Sequence, residues 1–362
     1  MDRAGLERMV HDGEVQEKRS FVGLDLTGAD LGGGIFSECS FRGADLRGAK
    51  LNETMFSSCD LSAVKLDGAS LRQTTLFRAK GAGLSLVGTA LVATSIIDSD
   101  LSGADARDAD ATAARILTTN LDRSCWVGAN LHRAAFSKVG LDGADLSAAK
   151  LTKATLYQID LRTARLAGAL LHHTILVEAR LAGQSFRGMD LTLAQMIDAD
   201  LEGCDFEGAK LVQANFKGAN LAKANLAGAE ARNAIFPLAK LPGAVLKGAN
   251  LYQAIFVDVT APELDARGAN LEMSIWHRAQ CTSARFDRCN LTYADFSHAD
   301  LTAADFSGAT MTRTRLHATV QKDTVFPLGK LSALGDDEPL REAETWWERH
   351  RREIPPEPPP EG

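Results

Sequence analysis

The stretch LEGCDFEGAKLVQANFKGANLAKANLAGAEARNAIFPLAKLPGAVLKGANLYQAIF, residues 201–256, decides the fold of this chain. Every fifth residue is a large apolar one, usually Leu or Phe, and a small residue, usually Ala, stands two places before it. We call the large residue position i, so each unit reads small (i−2), polar (i−1), large apolar (i), then two variable residues (i+1 and i+2). A fixed short period of this kind indicates a solenoid of stacked repeats.

The same register extends far beyond this stretch. Position i falls at Phe21 and then at every fifth residue as far as Leu316, without an insertion or deletion. That span contains 60 pentapeptides, and weaker units follow as far as Leu331. Because each coil of a solenoid packs only on its neighbours, a chain of 362 residues need not divide into several globular domains.

The motif A-D/N-L, as in GADLS (143–147), GANLA (218–222) and HADLT (298–302), resembles the pentapeptide-repeat family. In that family four pentapeptides form one coil, with i and i−2 inward and the other positions outward. The resemblance implies an all-β solenoid, a right-handed quadrilateral β-helix of about 15 coils with short terminal capping helices. At the usual strand spacing the rod would be roughly 70 Å long.

The chain divides into four predicted segments. Residues 1–20 form a cap helix and a lead-in, and residues 21–334 form the β-helix. Residues 335–354 are predicted to be an amphipathic helix that closes the last coil, because acids and a proline stand at its start. The Pro-rich tail 355–362 should be extended and solvated.

The C-terminal helix carries three large apolar residues, Leu340, Trp346 and Trp347. They would serve either to cap the last coil or to form a homodimer. The sequence leaves this choice open.

Small residues at position i weaken the interior at two places. They are Gly81, Ala106 and Ala111 in the first region and Ala261 and Ala266 in the second, where Pro262 also interrupts the pattern. We expect local narrowing or a bend near residues 81–111 and 261–266.

Cysteine usage and hydropathy favour a cytoplasmic protein, and the family resemblance implies a bacterial one. Five of the six cysteines replace an inward residue, and Cys125 alone should face outward. The lack of a disulfide framework and of a signal peptide favours a reducing compartment. No apolar run approaches the roughly 20 residues that span a bilayer, so we expect no membrane partner.

We identify no catalytic, cofactor-binding or metal-binding residues. The sequence contains no nucleophile motif and no phosphate loop. His277, His298 and His317 lie on one face within two coils of each other. We interpret them as exposed histidines on a polar corner rather than as metal ligands. The chain is therefore predicted not to be an enzyme.

The surface charge bears on one alternative function. Some members of the family imitate duplex DNA and bind type II topoisomerases such as DNA gyrase. Mimicry needs continuous stripes of negative charge, whereas the net charge here is −7 and most of it lies in the C-terminal tail. Along the rod, acids alternate with bases one coil apart, as at Asp60, Lys80 and Asp100. Gyrase binding therefore remains the alternative, and no direct nucleic-acid contact is predicted.

The most informative surface is apolar and follows the column of interior aromatic residues, which we call the Phe-rich face. Its outward i−1 and i+1 positions carry large apolar residues that the other faces lack. A long exposed apolar stripe usually marks an interface, although β-branched residues also suit strand surfaces. The predicted partner-binding residues are Phe77, Ile97, Leu117, Tyr157, Ile175, Val177, Ile197, Ile235, Pro237, Ile255, Val257 and Ile275.

These observations favour a protein-binding scaffold or adaptor, since solenoids present long rigid surfaces. The opening of the chain, with SFVGLDL (20–26) and FSECSF (36–41), is similar to pentapeptide-repeat proteins of bacterial type VI secretion clusters. That similarity implies an accessory or adaptor role near a secretion spike and its effectors. The identity of the partner is not encoded in the repeat itself.

Overall fold

The computed structural model describes residues 2–327 and 332–350, the last four of these by their backbone alone. Two helices flank eight short strands. The elements are α1 (Arg3–His11), β1 (Gln16–Glu17), β2 (Ile35–Ser37), β3 (Met55–Ser57), β4 (Thr75–Phe77), β5 (Ser95–Ile97), β6 (Arg115–Leu117), β7 (Ala135–Ser137), β8 (Thr155–Tyr157) and α2 (Glu338–His350).

The chain forms a parallel β-solenoid that advances one layer every 20 residues. Strands β1 to β8 pair in sequence order, and Phe36 for example lies opposite Phe56. After β8 the same spacing continues as single-residue bridges as far as Asp305 and Val325, and a last bridge joins Arg315 to Leu334, 19 residues later. The predicted fold class is confirmed. The predicted 15 coils need correction, because regular strands build only about seven turns and the later layers are held by isolated bridges.

The repeat unit follows from the roles of its five residues. Positions i and i−2 are buried almost without exception, and they fill the interior with Leu, Phe and Ala. The Asp or Asn at i−1 accepts a hydrogen bond from the i+1 amide, as Asp60 does from Ser62 at 3.0 Å. The side chain thereby caps an N–H that the ladder leaves free, which explains why this position is so often Asp or Asn.

Position i+2 requires a left-handed backbone. From Gly23 to Asp323 this residue has a positive φ in every unit except the one that contains Thr163. A positive φ at this place is characteristic of a type II turn, which favours Gly but admits other residues at a cost. Because the i+1 amide is not part of the ladder, Pro262 fits at i+1 without the loss of a backbone bond.

Both regions predicted to narrow or bend keep their ladders, so that prediction is wrong. Ser85 pairs with Asp105, and Val245 pairs with Asp265, in the regular register. The reason is compensation between neighbouring inward positions. Leu84, at i−2, fills the space beside Gly81, and the buried Leu264 does the same between two alanines.

The ladder does break at another place, which we call the joint, residues 160–190. Within the described chain, three bridges that the spacing requires are missing, and they would join residues 140 to 160, 165 to 185 and 170 to 190. Gln184 and Met189 stand at i−2, where they are too large for the interior, and both remain half-buried. The Gln184 amide instead donates to the carbonyls of Leu161 (2.6 Å) and Ala164 (2.9 Å).

Helix α1 caps the first coil as predicted. Asp2 accepts a hydrogen bond from the amide of Gly5, and the apolar side of the helix is buried. Arg3 donates to two free carbonyls of the first coil, and Glu7 accepts from the amide of Asp30 at 3.0 Å. Helix α1 therefore satisfies backbone groups that an open end would expose.

Candidate protein-binding face

The structure places all the predicted partner-binding residues on one face of the solenoid. Phe77, Ile97 and Leu117 lie opposite one another at the ends of β4, β5 and β6. Farther along, in the i−1 column of the same face, Ile235 is bridged to Ile255, and Ile255 is bridged to Ile275. The sequence pattern alone was sufficient to locate this column, because the period of 20 residues never slips.

The stripe is half-buried and falls into three patches. The first runs from Phe77 to Leu117, the second from Tyr157 to Ile197, and the third covers residues 235–275. Ser137 and Lys217 interrupt the stripe at i+1 between these patches. Tyr157 is the most exposed of the predicted residues, at 37%.

The interior column beneath the third patch is a continuous aromatic stack. Phe216, Phe236 and Phe256 are parallel, with ring centroids 4.8 and 4.6 Å apart. Trp276 follows at 3.9 Å, and Phe296 lies 5.5 Å beyond it. The third patch therefore rests on a column of mutually packed rings, which suits a surface that presents side chains to a partner.

Charges beside the third patch are neutralised locally. Arg278 donates two hydrogen bonds to the carboxylate of Asp258, at 2.6 and 2.7 Å, and these bonds hold the pKa of Asp258 below its usual range. His277 lies 3.0 Å from Asp295. The apolar residues are thus flanked by paired charges, an arrangement typical of a polar rim.

Helix α2 reaches the solenoid at the C-terminal end of this same face, and its closing of the last coil stays a prediction. Ser297 and His317 occupy the stripe column and are only 8% and 3% exposed. Val320 and Val325, on the other sides of the last coil, remain about half exposed. Polar contacts from Glu344 of α2 to His298 and His317 anchor the helix to the side of the rod, and the sequence pattern did not reveal them.

Of the three residues proposed to cap or dimerise, Leu340 lines a cavity of about 100 Å³ with Ser297 and His317 and is 42% exposed. Trp346 is 56% exposed. The side chain of Trp347 and the tail 355–362 lie outside the described residues. The structure contains one chain, so homodimer formation stays a prediction.

The joint contains a cavity of about 670 Å³. It opens between the two coils that Gln184 and Met189 separate, and Arg165 and Arg187 line it. Arg187 pairs with the carboxylates of Asp205 and Glu207. With its arginines engaged, the cavity presents no set of catalytic side chains.

The cysteines are free thiols, and five of the six are buried. Burial raises the pKa of Cys59, Cys204 and Cys289 to about 12. Thiols of this kind are poor nucleophiles at neutral pH. They act as small core residues.

The structure separates the three histidines that the sequence placed on one face. His277 approaches Asp295, whereas His298 and His317 both contact Glu344 of α2. The sequence analysis did not include Glu344, because it belongs to a helix outside the repeat. As for membranes, neither helix in the described residues is both long and apolar enough to cross a bilayer.

Comparison with known proteins identifies the fold. The family model for pentapeptide repeats matches residues 25–62, 118–152, 129–168, 164–203, 174–211, 199–236 and 279–317. No curated protein sequence matches the chain with significance.

Several solved structures are similar. HetL, a pentapeptide repeat protein involved in heterocyst differentiation regulation from the cyanobacterium Nostoc, is 24% identical, with 87% of this chain and 96% of HetL covered and a TM-score of 0.20. QnrB1, a plasmid-mediated fluoroquinolone resistance protein, is 23% identical, with 50% of this chain and 87% of QnrB1 covered and a TM-score of 0.33. A pentapeptide repeat protein from the thylakoid lumen of Arabidopsis thaliana is 25% identical, with 36% and 69% covered and a TM-score of 0.14. Because the family matches extend over more than half of its length, the chain belongs to the pentapeptide-repeat family.

Proposed function

We propose that this protein is a non-enzymatic scaffold that binds another protein along the apolar stripe of the Phe-rich face. The observation that carries the proposal is the seating of α2 on the end of that face, where it buries Ser297 and His317. This contact supports the proposal, because part of α2 lies against the outer side of the column there. The patches at Tyr157–Ile197 and at residues 235–275 offer larger apolar side chains in equivalent positions.

The partner that we favour is a component of a bacterial type VI secretion system, such as a spike protein or an effector, met in the cytoplasm. The similarity of the N-terminal stretch to accessory proteins of those clusters supports this choice. The alternative is gyrase binding through DNA mimicry. The ion pairs that link successive layers, such as Arg180 with Asp160 at 3.1 Å and Lys50 with Asp30 at 3.2 Å, argue against it, because they remove the continuous negative stripe that mimicry needs.

The test uses matched valines at position i+1. Val177→Glu and Val257→Glu place a charge on the stripe, and Val212→Glu places the same charge on a different face at the same half-buried position. A photo-crosslinking amino acid at each site in the native host should capture a partner at 177 and 257 but not at 212. The charged variants at 177 and 257 should abolish that capture.

The captured protein separates the two candidates. Capture of a secretion spike or effector would support the adaptor role. Capture of gyrase subunits would contradict that role and support gyrase binding. Equal capture at 177, 257 and 212 would contradict the proposed face.

A further inference from the structure

The last coils and α2 bring together three side chains that the repeat does not require. His298 Nε2 lies 3.1 Å from Glu344 Oε1, and His317 Nε2 lies 3.3 Å from Glu344 Oε2. The three groups offer ligand atoms that all lie within 4.8 Å of one another. His317 is 3% exposed, so one of the imidazoles is held in a nearly dry environment.

We propose that His298, His317 and Glu344 bind a Zn²⁺ ion that fastens α2 to the side of the solenoid. Two imidazoles and one carboxylate are a ligand set that zinc uses, with the fourth position taken by water. Bonds of about 2.0–2.2 Å in a tetrahedral site place neighbouring ligand atoms roughly 3.3 Å apart. Each imidazole nitrogen lies about this far from one oxygen of the Glu344 carboxylate, and one ligand atom from each of the three residues lies within 4.8 Å of the others, so small side-chain movements would complete the site.

The surroundings of His317 also fit. Its Nδ1 lies 3.7 Å from Asp336 Oδ1, and a carboxylate behind a ligating histidine is a common outer partner in zinc sites. In the present geometry the amide of Asp337 donates to Nδ1 at 3.2 Å, which places the ring proton on Nε2. Zinc at Nε2 moves that proton to Nδ1, where Asp336 accepts it. The Asp337 amide then has to change partner, Asp336 has to move closer to Nδ1, and the bonds of both Nε2 atoms to Glu344 give way to bonds to the ion.

The ligands come from two elements that are otherwise joined weakly. His298 and His317 belong to the last layers of the solenoid, and Glu344 belongs to α2. Other polar contacts between the start of this segment and the solenoid, among the described residues, are the bond from the Ala318 amide to Asp336, at 2.8 Å, and the bond from the Asp337 amide to His317 Nδ1, at 3.2 Å. A bound ion would therefore determine how firmly α2 covers the C-terminal end of the Phe-rich face. The site does not depend on the function proposed above.

The experiment measures Zn²⁺ binding to the full chain after treatment with a chelator and dialysis. Zinc is titrated in competition with a chromophoric chelator, and Co²⁺ is added separately to record the visible bands of a tetrahedral site. We expect one Zn²⁺ per chain and no competition from Mg²⁺, which prefers oxygen ligands. Zinc should also slow the cleavage of α2 by trypsin at Arg341.

Matched variants assign the ion to this site. Glu344→Gln keeps the size of the side chain and His298→Ala removes an exposed ligand, so both should fold, and each should abolish the Co²⁺ bands. Asp336→Asn should weaken binding by about 10–100-fold. His277→Ala and Cys125→Ser, outside the cluster, should leave the affinity unchanged. No uptake of zinc, or the same affinity in Glu344→Gln as in the parent chain, would overturn the proposal and leave a plain hydrogen-bonded cluster.

Discussion

The two halves of the solenoid share one repeat but build the Phe-rich face differently. From Ile35 to Tyr157 the face consists of three-residue strands. From Leu176 to Leu316 the same face is made of turns linked by single bridges. In the second half the i−2 amide of the next unit closes the turn by donating to the carbonyl of the face residue, as Ala219 does to Phe216 at 3.0 Å. On the described face of the first half this bond is absent.

The residue at i−2 after each face residue also differs between the two halves. The second half has Ala at nearly every such position, whereas the first half has Cys39, Cys59, Ser99, Thr119, Val139 and Ile159 and only one Ala. Ser99 and Thr119 direct their hydroxyls to the carbonyls of Ile97 and Leu117, at 2.9 and 2.8 Å. Thr54 and Val64 close the same turn on other faces, at 3.2 Å, so the association of a small residue with the tight turn is a feature of the second half of this face. Val259 supports this, since its amide lacks the turn bond although it lies in the second half.

The largest effect should come from removing an aromatic side chain from the core. Trp126 and Trp276 are both fully buried, and each donates to the hydroxyl of a serine at i−2. Only Trp276 is sandwiched in the aromatic stack. We expect Trp276→Ala to cost about 3–5 kcal/mol, and Trp126→Ala to cost about 1 kcal/mol less, because it lacks the ring contacts.

Hydrogen exchange resolved along the chain is the suitable measurement, because long repeat arrays need not unfold in one step. Trp276→Ala should speed the exchange of backbone amides in residues 256–296 and leave the exchange rates of the first half unchanged. Equal losses in the two variants would show that stacking adds nothing to burial and would weaken the distinction between the halves.

A smaller effect is expected from changing the i−2 residue. Ala239→Ile should cost about 1–3 kcal/mol, because the added methylenes overfill a turn that closes on alanine. Ala79→Ile in the first half should cost less, since the same column there already holds Val139 and Ile159. Urea unfolding of both variants, followed by exchange of the amide at 239 and at 79, tests this. A greater loss at Ala79 would contradict the role given to position i−2.

The joint between the halves offers a change that should stabilise the protein. Thr163 is the one i+2 residue from Gly23 to Asp323 without a positive φ, and its hydroxyl accepts the amide of Gly143 at 3.1 Å. Thr163→Gly removes the steric cost of the left-handed turn and should allow the regular backbone bond to form. We expect a gain of about 0.5–1.5 kcal/mol, seen as slower exchange of the Gly143 amide.

A matched control is Thr282→Gly at i+1 of an intact unit, where no positive φ is needed. It should bring no gain. If the Gly143 amide exchanges faster in Thr163→Gly than in the parent chain, then Gln184 and Met189 alone cause the loss of bridges at the joint.

The sequence predicted the repeat, the inward positions, the N-terminal cap and the column of the candidate face. These depend on a period that never slips, and a strict period places residues without knowledge of contacts. The joint was not predicted, although Gln184 and Met189 at i−2 and Thr163 at i+2 are its sequence signals. Attention to position i alone produced the wrong expectation near Gly81, where Leu84 fills the interior. The cluster around Glu344 could not be found from the repeat, because a helix outside it supplies that ligand.

The smallest expected effect is on the reactivity of the thiols, which reports how readily the interior of each half opens to a reagent. Ellman's reagent should react quickly with Cys125, the one cysteine that is not fully buried, and with all six thiols in denaturant. Burial raises the pKa of Cys39 as well, but its thiol is less enclosed than those whose pKa is about 12, so we expect it to react second. At pH 8 a thiol with a pKa of about 12 is ionised in roughly one molecule in ten thousand, which accounts for the slow class. Fast reaction of Cys204 or Cys289 would show that the turn-built half opens more readily than the strand-built half, and a Cys125→Ser variant with no fast phase would confirm the assignment.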